Sequence, residues 1–467
     1  MAHIVVITSG ITSALNATLA LMQKLQQAGH RITYASPQNV SVSLQGLAIP
    51  FVQLPPWIVP VDRGRGSWLG KWLRCRARQR LAMADFKMKA FAQTLRELAP
   101  DLLLIDIEMH PHIMTAVVSE FRVALLCPFI SIWRRPNLPP IHTAIVPGEG
   151  WRGSAWGIQW SWLRYHWGKW MAYQRDRWQR LACDYRSVVT YYARQIGYPG
   201  WFWSGFNSWL VPYPHGTLPV LCLHAQALDF PHRPPSFMHY LGPMVFDETA
   251  KLPQAIASEV ASDTDPETTD STLEIFLQNR RGEFLIYCGC SSFVPARQGF
   301  LQKVCAIAAS HPHWDFVIGL GGSDCREALE GLPDNVCVLP WAPQLPLLKQ
   351  ADCAIINSGA HSITECIHCG VPMLLYSLGV NDQNGNAARM VHHGLGLLGA
   401  FGTASVEALS NDIQSLLTEP IYRSNLTDMQ GKFQRYGEDK TAVRVISSLL
   451  SGSGIEIELV EMAGGVK

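Results

Sequence analysis

Long hydrophobic runs are missing from this chain of 467 residues. No apolar stretch reaches the roughly 18 residues that a helix needs to cross a bilayer, so no membrane-spanning helix is expected. A secretory signal is lacking too, and the twelve cysteines are scattered along the chain. Together these lead to the expectation of a reducing, cytoplasmic setting. Cys366 and Cys369 bracket His368 in a C-x-x-C, but no second pair stands at zinc spacing. Core cysteines are therefore expected there, and no metal. Charge is sparse and balanced, with 38 Lys and Arg against 37 Asp and Glu. That balance argues against general affinity for nucleic acid. The low charge and an apolar content of 48% also exclude a disordered chain.

What is present is a repeated alternation of short apolar runs with helical patterns. HIVVITSG reads as a buried parallel strand and turn. A helix through ALNATLALMQKLQQAG follows, closed by Gly29, and RITYAS is the next strand. DLLLIDI (101–107) and VALLCPF (123–129) are further buried strands. The pattern restarts at FLIYCG (284–289) and continues to about 415. The expected class is α/β, with two doubly wound Rossmann-like domains facing across a cleft. The expected divisions are a first domain over 1–246 with a Trp- and Arg-rich insertion at about 133–215, an acidic linker over 247–280, a second domain over 281–420, and helices with a tail over 421–467. Asp263 and Asp265 form an acid pair beside Pro266, read as solvated loop.

The densest information lies in residues 337–396. The strand CAIINS (353–358) runs into Gly359, and a helix starting near His361 carries Ser362 and Glu365. A helix start after a strand presents free backbone N–H groups and a positive dipole end, which suits a pyrophosphate. Glu365, one turn on, could reach the vicinal hydroxyls of a ribose. The strand VPMLLYS (371–377) leads to Asp382 and Gln383, an acid-amide pair suited to the hydroxyls of a hexose. Trp341 ends an earlier strand and offers a flat face to a base. Strand-turn-helix units of this kind are common, and many bind nothing; the combination within sixty residues is the informative part.

These residues resemble the donor-binding signature of family 1 glycosyltransferases, the UDP-sugar-dependent, inverting enzymes of GT-B fold. The matching runs are Trp341-Ala342-Pro343-Gln344, Asn357 to Glu365, Gly370-Val371-Pro372 and Asp382-Gln383-Asn384-Gly385-Asn386. The resemblance implies that Trp341 stacks on uracil and the Ala342 backbone pairs with its edge. It implies that Gln344 and Glu365 hold the ribose, Ser362 a phosphate, and Asp382 and Gln383 the sugar. Two residue types have traded places: the family's phosphate-facing His is Asn357 here, and its Asn is His361. Both can donate an N–H to an anion. FLIYCGCSS resembles the family's strand and small-residue phosphate loop, making Ser291 and Ser292 candidate diphosphate donors, with Cys290 in place of a more usual Phe. The resemblance also implies an acceptor-binding first domain, last helices that cross back to it, and a UDP-sugar as co-substrate with no bound cofactor or metal. Bacterial zeaxanthin-type and macrolide-type glucosyltransferases are similar.

Aromatic and basic residues are concentrated in two segments. Eleven of the sixteen Trp lie between 133 and 209, and residues 55–80 carry seven basic residues and one acid. Trp and Tyr interleaved with Arg and Lys suit the membrane-water interface, so a peripheral position on the inner face of a membrane is expected. An aromatic acceptor pocket and plain core packing remain as alternatives. Either functional reading implies a large apolar acceptor, lipid or terpenoid.

The general base is the open question. Many family members place a His in the first loop, steadied by an Asp after a later strand. The position matching that His is Ala14, and TSGITSALNATLAL holds no His. The matching Asp is Asp106, in a segment that adds Glu108, His110 and His112 at a strand end, where α/β active sites open. His110 and His112 could instead merely cap the next helix. The expected activity is transfer of a hexose, glucose favoured, to a hydrophobic hydroxyl. A non-catalytic donor-binding or membrane-recruiting subunit, or a nucleotide-sugar epimerase, is the alternative.

Overall fold

The computed structural model describes residues 1–10, 12–44, 47–55, 67–198, 208–209, 215, 218–246, 266–290, 298–321 and 331–452. Two parallel sheets organise it. The first comprises β1 (His3–Ile7), β2 (Arg31–Ser36), β3 (Phe51–Gln53), β4 (Leu102–Asp106), β5 (Val123–Cys127), β6 (Val220–Cys222) and β7 (Met238–Tyr240), in the order β3-β2-β1-β4-β5-β6-β7. The second comprises β8 (Phe284–Gly289), β9 (Trp314–Gly319), β10 (Val336–Leu339), β11 (Cys353–Ile356), β12 (Met373–Leu375) and β13 (Gly396–Leu398), in the order β10-β9-β8-β11-β12-β13. Helices cover both faces of a parallel sheet, which is why its strands read as unbroken apolar runs. All five residues of LLLID in β4 are buried, as are all four of CAII in β11.

This order decides where a ligand can sit. The chain builds outward from β1 toward β3, then returns to lay β4 on the other side of β1. The second sheet does the same at β8 and β11. At such a reversal the flanking helices lie on opposite faces and leave a crevice at the carboxyl ends of the strands. Thr8 follows β1, Asp106 ends β4, and Asn357-Ser358-Gly359 follows β11.

The two sheets are tied together by their connections. The helix Thr441–Ser451 buries Ala442, Val445 and Ile446 in the same apolar cluster as Leu15, Leu19 and Leu25 of the helix Thr12–Gln27. The Arg122 guanidinium donates to the Leu449 carbonyl at 3.1 Å. Part of the segment expected as a linker over 247–280 is helical instead, over Pro266–Gln278, where Leu273 packs into the core. Residues 247–265, with Asp263 and Asp265, lie outside the described residues, as does the tail from 453.

The aromatic segments divide between two environments. Trp133, Trp162 and Trp209 are buried in the first domain, and the Trp162 indole N–H donates to the Leu138 carbonyl at 2.7 Å. Trp68, Trp72, Trp151, Trp156, Trp160, Trp167 and Trp178 are exposed. Among the described residues no helix is long and apolar enough to cross a membrane.

Candidate functional site

The loop after β11 is the first built element. Ser358 adopts a left-handed backbone, φ 59°, which costs energy for any residue with a Cβ. Its hydroxyl donates to the Tyr376 carbonyl at 2.8 Å, and its own carbonyl accepts from Asn386 Nδ2 at 3.1 Å. The strained turn is thus held from two sides. It sends the chain into the helix Ala360–Cys369, which begins at Gly359 without a side-chain cap. Free N–H groups therefore face the cleft at that start. Asn357 sits half-buried in this loop. His361 is sunk at the helix start, and neither ring nitrogen has a hydrogen-bond partner among the described residues. Burial, then neighbouring His224, pushes its pKa down to about 3, so the ring is neutral and keeps one N–H donor.

The same helix aims Ser362 and Glu365 at Gln344, the first residue of the helix Gln344–Leu348. Gln344 Nε2 donates to Ser362 Oγ at 3.1 Å and to a Glu365 carboxylate oxygen. Gln344 Oε1 accepts from the Tyr287 hydroxyl at 3.1 Å. Three residues singled out in the sequence therefore form one connected group, completed by Tyr287 of β8. Burial pushes the Glu365 carboxyl up to about 7, against the opposing donation from Gln344. Ala342 is buried against Gly319, where a Cβ would stand 2.8 Å from the Ala342 Cβ. Trp341, next to it, is half-buried.

Asp382 precedes the helix Gln383–His392. Its carboxylate accepts from Asn386 Nδ2 at 2.8 Å, and burial raises its pKa. Gln383 Oε1 accepts from the Leu378 backbone N–H at 2.9 Å, so this amide also anchors its own loop. The helix meets the first domain closely. Asn384 Nδ2 donates to the His142 carbonyl at 3.2 Å, and a Cβ on Gly385 would stand 1.9 Å from the Ile141 carbonyl oxygen. Only glycine permits that approach.

Across the cleft, Asp106 Oδ1 accepts from the Glu108 backbone N–H at 3.0 Å. Burial pushes Asp106 up to about 6. Glu108 is the more solvent-exposed of the two, yet its position in the cleft pushes it up to about 7. Desolvation comes first, then the carboxylates of Asp106 and Asp382, with Lys169 opposing. Acids from both domains thus act on one another across the cleft. His110 and His112 are placed differently. His110 Nδ1 pairs with His215 Nε2 at 3.1 Å, and His215 Nδ1 with the Tyr198 hydroxyl at 2.8 Å. His112 packs edge-on against Phe91, ring centroids 4.7 Å apart. Burial alone lowers them to about 4 and about 3. Both begin the helix His110–Val118 as buried residues whose rings are engaged by His215 and Phe91. Ala14 lies in the first turn of the helix Thr12–Gln27. Ser291 and Ser292 lie outside the described residues.

Sequence reading missed several contributors. His224, after β6, spans the cleft: its Nε2 donates to the Pro128 carbonyl at 2.9 Å, and its Nδ1 meets the Thr364 hydroxyl at 3.2 Å. Tyr287 and Lys169 were missed as well. None belongs to a local motif; a lone polar residue in an otherwise apolar strand was the one available signal, for Tyr287.

Comparison with known proteins agrees with this fold. The family model described as UDP-glucoronosyl and UDP-glucosyl transferase matches residues 327–432. A zeaxanthin glucosyltransferase of Pantoea ananas is 23% identical, covering 97% of this chain and 99% of that protein. An oleandomycin glycosyltransferase of Streptomyces antibioticus is 28% identical over 36% of this chain and 39% of its own. Among solved structures, the kitacinnamycin glycosyltransferase superposes with a TM-score of 0.64 at 18% identity, covering 96% of this chain and 98% of that one. Glycosyltransferase VinC, solved with dTDP, superposes with a TM-score of 0.55 at 16% identity, covering 96% and 98%. The chain is a glycosyltransferase enzyme of GT-B fold, similar to the family 1, nucleotide-sugar-dependent enzymes of the bacterial zeaxanthin and macrolide type.

Proposed function

We propose that this enzyme moves a hexose, glucose by preference, from a UDP-sugar to a hydroxyl of a hydrophobic lipid or terpenoid acceptor, inverting the anomeric centre. One observation carries the reading: the Glu108 carboxyl of the first domain lies in the field of Asp382 of the second, which Asn386 ties to the Ser358 turn ahead of the helix bearing Ser362 and Glu365. In this scheme Trp341 stacks on uracil, Gln344 and Glu365 hold the ribose, and Asp382 and Gln383 hold the hexose. Asn357, Gly359, His361 and Ser362 receive the diphosphate at a helix start, with Ser291 and Ser292 as further donors. The acceptor oxygen attacks the anomeric carbon from the side opposite the diphosphate. The new C–O bond forms as the bond to UDP breaks, the electron pair leaves with UDP, and the acceptor proton passes to Glu108 or Asp106.

A carboxyl raised toward 7 suits a general base, because proton transfer is most efficient when the pKa lies near the working pH. The neutral His361 and the helix start stabilise the departing diphosphate, so the step needs no metal and chelation leaves the rate unchanged. The apolar acceptor is supported by the relative named for zeaxanthin and glucose. It also accords with a working position on the inner, cytoplasmic face of a membrane.

The test incubates purified protein with labelled UDP-glucose and a membrane lipid extract. Label should move into an organic-soluble product whose anomeric configuration, read by NMR, is opposite to that of the donor. Label released only as free glucose, or a product with retained configuration, would overturn the proposal.

A further inference from the structure

The helix Ala155–Gln179 is apolar on two opposite faces. One face buries Ile158, Trp162 and His166 in the first domain. The other exposes Trp156, Trp160, Leu163, Trp167, Met171 and Trp178, with Trp156 87% accessible. At 3.6 residues per turn these six positions fall within roughly 100° of arc, so they form one stripe, about 33 Å long from Trp156 to Trp178. Solvent-exposed helix faces are normally polar, and a continuous aromatic stripe marks an interaction surface. The neighbouring helix Trp68–Leu73 buries nothing and widens the stripe: the rings of Trp68 and Trp178 stand 6.1 Å apart.

Charge identifies the occupant. Beside the stripe the long helix carries Arg164, Arg175 and Arg177, while its one acid, Asp176, and Lys169, whose charge acts on Glu108 in the cleft, fall on the other side of the helix. Residues 68–84 add Lys71, Arg74, Arg76 and Arg80, with no acid at all. A second copy of this chain would meet the stripe with the same cationic patch, and like charges would repel across a two-fold interface. Indole rings flanked by guanidinium groups are instead suited to the headgroup layer of an anionic bilayer, where the rings sit at the boundary and the cations meet lipid phosphate.

We infer that the Trp156–Trp178 stripe, joined by Trp68 and Trp72, docks the enzyme on an anionic lipid bilayer. The inner side of the same helix reaches the cleft. Tyr165 packs against His142, ring centroids 4.5 Å apart, and the His142 carbonyl holds Asn384 of the second domain. Docking therefore brings the cleft to the lipid surface, where the apolar acceptor proposed above would be found. Only that purpose rests on the acceptor reading; the stripe and its charge do not.

The experiment sediments the full-length protein with phosphatidylcholine vesicles, with and without phosphatidylglycerol. Binding should favour the anionic vesicles and weaken as salt screens the cations. A combined Trp156→Ser, Trp160→Ser, Trp167→Ser variant should bind at least about tenfold more weakly, the scale expected for losing three interfacial rings. Its melting temperature and UDP affinity should match the parent, because these side chains are exposed. Equal binding by the variant, or no preference for anionic vesicles at low salt, would overturn the inference. So would a parent that ignores vesicles and forms a dimer which the variant breaks. Sedimentation needs no turnover, so its outcome stands whether or not sugar transfer to a lipid is found.

Discussion

Arg389 of the second domain and Asp229 of the first meet at 2.7 Å, Nε to Oδ1, with both side chains sealed from solvent. The guanidinium also lies over the Phe230 ring and donates to the Gly385 carbonyl at 3.0 Å. Removing one partner of a buried ion pair strands the other charge. Asp229→Ala should therefore cost about 3–5 kcal/mol in denaturant unfolding. Arg389→Lys should destabilise as well, because a point charge cannot reproduce the planar fork that meets Asp229 and the Gly385 carbonyl. A cost below about 1 kcal/mol would show that the domains are held elsewhere.

Donor binding should depend on Trp341 and Glu365. Alanine at either position is expected to weaken UDP binding by about 1–3 kcal/mol, through loss of a stacking platform or of a charge-assisted hydrogen bond. Calorimetry reads this directly, and unchanged affinity in both variants would remove the nucleotide from this site.

Protonation of Glu365 should follow the ligand. Its native pKa near 7 lies above the ordinary 4.5, so the folded chain holds this proton more tightly than the unfolded chain. Its contribution to stability therefore falls as pH rises from about 4.5 through 7. Ribose hydroxyls donating to the carboxylate would favour its charged form. UDP binding at pH 6.5 should then release part of a proton, seen as a dependence of binding heat on buffer ionisation enthalpy. Glu365→Gln should abolish that dependence.

Transfer rate should rise with pH through about 7 if Glu108 is the base, since only the carboxylate accepts the proton. Glu108→Gln should lower the rate about 10²- to 10⁴-fold with UDP affinity intact. Asp106→Asn removes a like charge and should move the rising limb to lower pH. Phe at His110 or His112 should change melting temperature, not the pH profile.

Sugar and nucleotide recognition should separate at Asp382. Asp382→Asn is expected to bind UDP normally and lose turnover. Gln383→Ala should also lower the melting temperature, because its amide holds the Leu378 backbone N–H. Equal loss of UDP affinity in Asp382→Asn would misplace the hexose.

The Gln344–Ser362–Glu365 group was legible because its parts are local. Ser362 and Glu365 share one helix face by spacing alone, and Gln344 lies close enough in sequence for a short motif to contain it. The doubly wound class followed from unbroken apolar strands alternating with helical patterns, whereas the switch points came from strand order, which the structure supplies. The surroundings of Asp106 were less legible. His110 and His112 carry the right chemistry at a strand end, but whether they face the cleft depends on what packs beside them, and that proved to be His215 and Phe91.

Residue pattern by itself determined the two α/β units and the strand-turn-helix that carries Ser362 and Glu365, both matters of period and spacing along the chain. The donor-binding reading of those residues, and the expectation of a His where Ala14 stands, came from the resemblance to family 1 glycosyltransferases. Tertiary structure alone decided that Glu108 shares its field with Asp382, 274 positions away, and that Arg389 closes on Asp229. It also decided which tryptophans are core and which are stripe, since Trp160 and Trp162 differ by two positions and lie on opposite sides of one helix. Composition records that the rings are there; only the docking of the helix against the first domain assigns each ring its surroundings.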